Sequence, residues 1–102
     1  MEQATSYRRS YERFKVDGSA TLVLEKNLEI PSILTDLSGR GAGIFSSGVL
    51  QVNDRIKVII KAPFFVESPL YKEARVAWYK RLNGNNCQAG LDFGADNLIQ
   101  FA

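Results

Sequence analysis

The sequence contains no histidine and a single cysteine, Cys87. Histidine is the side chain that titrates near neutral pH and the commonest metal ligand, so its absence removes the usual general base and the usual zinc site. One cysteine excludes an internal disulfide and suits a reducing compartment; the thiol reads as a small buried or half-buried residue. No run approaches the roughly 20 apolar residues of a membrane-spanning helix, and the opening stretch MEQATSYRRSYERF lacks the apolar segment of a secretory leader. These absences predict a cytoplasmic chain without membrane insertion. No cluster of ionisable side chains offers a base, a nucleophile or metal ligands at a workable spacing, so the expectation is a protein that is not an enzyme, with no metal and no cofactor.

Charge of one sign is also scarce. The formal net charge of the 102 residues is +2, and its placement is uneven. Residues 1–15 hold four basic side chains (Arg8, Arg9, Arg13, Lys15) against two acidic ones (Glu2, Glu12), while nine basic and nine acidic residues balance over the remainder. A short cationic arm on a neutral body suits a small anion better than a long polyanion, which needs a broad basic face, so no nucleic-acid polymer is expected as a partner. By charge alone the arm reads equally as a solvated tail.

What is present is a period of two. The segments GSATLVLE, LEIPSILTDLS, AGIFSS, DRIKVIIKA, YKEARVAWYK and NCQAGLDF are six candidate strands, separated by turn-forming stretches at Lys26-Asn27, Gly39 to Gly43, Val52 to Asp54, Pro63 to Pro69 and Asn83 to Asn86. Six short strands with turns at intervals of about 8 to 12 residues predict an all-β fold, a six-stranded antiparallel β-barrel whose closure leaves no exposed edge. The division is a flexible basic N-terminal arm over residues 1–14 and a barrel over 15–102, with a short C-terminal helix in ADNLIQFA contributing Leu98, Ile99 and Phe101 to one end. A chain of this length buries roughly two-thirds of its unfolded surface and needs no covalent staple. Val58, Ile60, Trp78 and Phe93 are assigned to the core. Phe64, Phe65 and Tyr71, around a proline-bounded loop, read either as a lid on the core or as a partner surface.

The glycine-rich stretch TDLSGRGAGI (residues 35–44) does not fit a phosphate loop. Such loops point a helix N-terminus at the phosphate, and the following residues, IFSSGVLQVND, have no helical apolar spacing. On a strand, Asp36 and Ser38 share one face, and Ile33, Thr35 and Leu37 share the other. With Leu37 and Ile33 directed inward, Asp36 and Ser38 project from the outer wall, where Gly41 allows close approach of a ligand or of the arm. Alone, the stretch reads first as a tight turn held by side-chain to backbone hydrogen bonds, with Arg40 a solvated turn residue within reach of a phosphate.

The arm carries RSYER, with Arg9 and Arg13 on one side of either a helix or an extended chain. Guanidinium forks suit phosphate oxygens and the O6/N7 edge of guanine. The other edge of guanine presents N–H donors, which a carboxylate at Asp36 and a hydroxyl at Ser38 would accept. Each motif alone is a weak signal; a guanine nucleotide satisfies both.

In this order, RSYER, DLSGRG, NDRIKVII, ARVAW and GLDF, the sequence resembles the PilZ domain, a bacterial family of receptors for the second messenger cyclic di-GMP. The resemblance runs from the arm to about Phe93. It implies that Arg9 and Arg13 hold phosphate and guanine, that Asp36, Ser38 and Gly41 line the base, and that Arg8 meets a second ligand molecule of an intercalated pair. It further implies signalling by ordering of the arm, read by a downstream protein partner. Asn53 and Ala74 stand where glycines are frequent in the family, which bears on turns and not on the ligand positions. The alternative reading is a PilZ-like protein-interaction module that binds no nucleotide.

Overall fold

The computed structural model describes residues 12–62 and 69–100. Six strands follow one another: β1 (Phe14–Val23), β2 (Glu29–Leu37), β3 (Gly41–Ser46), β4 (Arg55–Lys61), β5 (Leu70–Arg81) and β6 (Cys87–Asp92). All neighbours pair antiparallel, in the closed order β1-β2-β3-β6-β5-β4. Among the described residues the one helical element is a three-residue 3₁₀ turn, Glu25–Asn27, and no helix is long and apolar enough to cross a membrane.

The core follows from strand alternation. Ala20 and Leu22, Ala42 and Ile44, Ile56, Val58 and Ile60, Ala74 and Val76, and Ala89 and Leu91 are buried at intervals of two. Each fully buried aliphatic side chain contributes roughly 1.5 to 3 kcal/mol, and closure lets all six strands direct one face into the same interior. Phe93 is buried at one end of the barrel, and Cys87 lies in the wall, also buried. Burial raises the pKa of the Cys87 thiol, against a smaller opposing effect of the Ser46 backbone.

Register shifts interrupt the pairing at three places, one of them between Lys15 and Gly18 of β1, and the other two reverse expectations. Between Leu34 and Asp36 the pairing of β2 with β3 slips, which turns Ile33 outward (55% exposed) and places Leu34 and Leu37 inside. Between Val76 and Trp78 the pairing of β5 with β6 slips in the same way: Val76 is buried, and Trp78, two residues on, is 47% exposed on the outer wall. An extra residue in one strand reverses the facing of everything after it, so strict alternation misassigns both side chains. Tyr71 is exposed as well, and Phe64 and Phe65 lie outside the described residues.

Residues 95–97 make a turn and 98–100 have no regular secondary structure, where a short helix is expected. The Asn97 N–H donates to Gly94 O, Ile99 N–H to Gly39 O, and the Lys72 ammonium to the carbonyls of Asn97 and Leu98. Polar groups of this segment are thus bound to other parts of the chain, and Ile99 is drawn into the core. Phe101 lies outside the described residues. Asn53 takes a positive φ of 77°, which asparagine tolerates, so the absence of glycine leaves that turn intact.

Candidate functional site

Strand register assembles a row of four residues across the outer wall. Asp36 on β2 lies opposite Gly43 on β3, Gly43 opposite Gly90 on β6, and Gly90 opposite Trp78 on β5. Three strand spacings separate the ends, about 14 Å. The middle of the row has no side chains of its own, and both glycines are buried beneath the side chains at its two ends. A Cβ on Gly43 would lie 2.9 Å from Asp36 Cγ, and one on Gly90 would lie 2.6 Å from Trp78 Cδ1. The glycines thus let the carboxylate lie against Gly43 and the indole against Gly90, both low on the sheet.

The next row along the strands is Gly41, Asp92 and Arg75. Asp92 joins two guanidiniums: its Oδ1 accepts from Arg40 Nε at 3.0 Å and its Oδ2 from Arg75 Nη2 at 3.2 Å. Oδ1 also accepts from the Gly94 N–H at 2.9 Å. Partial burial pushes the Asp92 carboxyl up, but the Gly94 N–H and the Arg40 and Arg75 guanidiniums together outweigh it and hold the carboxyl below its ordinary value.

Ser38 is placed differently from the sequence expectation. Strand β2 ends at Leu37, and the chain turns so that Ser38 is 3% exposed. Its hydroxyl accepts from the Gly41 N–H at 3.1 Å and from the Arg40 N–H at 3.3 Å, and its own N–H donates to Gly41 O at 2.9 Å. The side chain that alternation would project outward therefore binds the loop instead. Gly41 also has a reason within the fold, because a Cβ there would run into Leu91 O on β6.

Arg13 immediately precedes β1, and its guanidinium forms an ion pair with the Asp36 carboxylate. Arg13, Ser38, Arg40, Trp78, Gly90 and Asp92 all border one open cleft of about 260 Å³, with Asp36 tied to its rim through Arg13. Of the sequence-assigned positions, the structure thus brings together Arg13, Asp36, Ser38 and Gly41. Arg8 and Arg9 lie outside the described residues. Sequence reasoning did not assign Asp92, Gly43, Gly90 or Trp78 to a site. The only available signal was their position in ARVAW, GLDF and the glycine loop, with no means of seeing that register aligns them.

The sequence matches the PilZ domain family over residues 7–100. The fold is similar to a solved structure titled as that of Bacillus subtilis inhibitor of motility, MotI/DgrA, with a TM-score of 0.68 and 18% identity. That similarity covers 93% of this chain and 44% of the other, so the chain spans less than half the length of that protein. No curated protein matches the sequence.

Proposed function

This chain belongs to the PilZ domain family, a family of regulatory binding modules, and on that premise we propose that it is a receptor for cyclic di-GMP. The observation that carries the reading is the row from Asp36 across Gly43 and Gly90 to Trp78, with Arg13 bound at the Asp36 end. The two glycines let the carboxylate and the indole lie low on the sheet, so that a planar base can lie over the indole and reach the carboxylate. The exposed indole offers a stacking face, and base–aromatic stacking contributes about 1 to 3 kcal/mol. The Asp36 carboxylate accepts from the N1–H and N2–H₂ donors of guanine.

Cyclic di-GMP carries two guanines and two phosphodiesters, and each finds a counterpart. Arg13, together with Arg9 from the arm, takes phosphate oxygens or the O6/N7 edge of a base, where charge-assisted hydrogen bonds contribute about 1.5 to 3 kcal/mol each. Ser38 serves by holding the Gly39–Arg40 turn in place. The ligand competes with the Arg13–Asp36 pair: as guanine donors take over Asp36, the Arg13 guanidinium turns to the ligand. The arm is thereby drawn onto the ligand, and its position is what a downstream partner reads. Arg8 serves a second, intercalated ligand molecule.

Calorimetric titration with cyclic di-GMP, against cyclic di-AMP and GTP, tests the reading and gives the stoichiometry. Saturable binding of cyclic di-GMP alone is expected. Absence of binding to all three would transfer the protein to the nucleotide-independent interaction modules.

A further inference from the structure

Asp92 presents a physical difficulty for an anion-binding cleft. It is a carboxylate on the cleft wall, held below its ordinary pKa and therefore charged at neutral pH. A negative charge facing phosphates repels them, so an acidic side chain at that place weakens binding unless it acts through a cation. The contacts identify the cation. Arg40 is gripped at Nε by Asp92 Oδ1, its N–H is bound by Ser38 Oγ, and its carbonyl accepts from the Phe93 N–H at 2.7 Å. Asp92 in turn is braced from behind by the Gly94 N–H and by Arg75, whose Nη1 is held by Asn53 Oδ1 at 2.9 Å.

We propose that Asp92 is a positioning residue: it fixes the guanidinium of Arg40 at the cleft so that Arg40 binds a phosphodiester of the ligand. The inference rests on the cyclic di-GMP reading above. A grip at Nε sets the plane of the guanidinium, and the plane is what matters, because a phosphate accepts a pair of N–H groups along it. An arginine on a surface turn otherwise loses much rotamer freedom on binding. Here the loss is taken in folding, through Asp92, and does not recur when the ligand arrives.

The sign of one mutant effect separates this role from repulsion. Cyclic di-GMP affinity is measured by calorimetry at fixed salt for the parent, Asp92→Asn, Arg40→Ala and the double mutant, with unfolding midpoints alongside. Asp92→Asn is expected to weaken binding about three- to tenfold although the chain becomes more positive, and Arg40→Ala to weaken it about tenfold. On the Arg40→Ala background, Asp92→Asn is expected to cause no further weakening. Tighter binding of Asp92→Asn would overturn the proposal, since Asp92 would then be a repulsive neighbour. Equal weakening on both backgrounds would overturn it too, as the sign of a general structural role. If Asp92→Asn does not fold, Arg40→Lys keeps the charge and removes the planar fork; parent-like affinity of that variant overturns the proposal, and weakening to the level of Arg40→Ala supports it. A parent chain that binds no cyclic di-GMP overturns both readings, whereas a binding parent with an unaltered Asp92→Asn overturns this one alone.

Discussion

Trp78 occupies the space that a side chain at position 90 would need. A Cβ on Gly90 would fall 2.6 Å from the indole Cδ1 and 2.7 Å from Cε2, well inside any ordinary carbon contact. The β5 bulge turns the ring outward, and the glycine beneath lets it settle on the sheet. Packing and candidate function meet in this pair, and the pair can be separated by mutation.

Trp78→Ala is expected to weaken cyclic di-GMP binding about five- to a hundredfold, the loss of one base–aromatic stack. With the ring 47% exposed, the unfolding midpoint should fall little. Gly90→Ala keeps the ring but displaces it, and should weaken binding while shifting the emission of the single tryptophan. Parent-like affinity in both variants would remove the indole from the ligand site.

Arg13→Ala and Arg9→Ala are each expected to weaken binding about ten- to a hundredfold, with the barrel retained by circular dichroism. Arg13 is more than half exposed, so its pair with Asp36 contributes at most about 1 kcal/mol to stability, and a large loss of affinity is not a folding effect. Unchanged titrations for either variant would show that the arm is not the anion site.

Base selectivity should reside in Asp36. Adenine presents an acceptor nitrogen where guanine presents N1–H, which leaves the carboxylate without a donor. Cyclic di-AMP is expected to bind at least about a hundredfold more weakly than cyclic di-GMP, and Asp36→Asn to narrow that gap. Competition titrations that give equal affinities for the two cyclic dinucleotides would leave phosphate attraction as the only recognition.

Stability should fall in acid partly through Asp92. Its carboxyl is held below the ordinary value in the folded chain, so the stabilisation is fully present above the unfolded pKa of about 3.9 and is lost as pH falls through the lower folded value. Thermal midpoints measured from neutral pH down to about pH 2 should decline more steeply in the parent than in Asp92→Asn below roughly pH 4. Parallel curves for the two chains would show that the contacts of Asp92 with the Gly94 N–H, Arg40 and Arg75 add nothing to folding.

The sequence by itself determined the all-β class, the six strands, of which β1 starts four residues before its expected segment, and the core positions Val58, Ile60 and Phe93. These are local properties: alternation and turn chemistry are written within a few residues of where they act. It also singled out Arg13, Asp36, Ser38 and Gly41, because residue types that suit a guanine nucleotide recur at fixed spacing. Only the tertiary structure decided which way Ile33, Ser38 and Trp78 face, since a bulge or a strand end reverses facing without leaving a mark in composition. Ser38, expected outside, is turned in to hold a loop, and Trp78, expected inside, stands on the wall. The alignment of Asp36, Gly43, Gly90 and Trp78 was likewise beyond the sequence, because it joins four strands through three registers, each set by pairing between segments far apart in the chain.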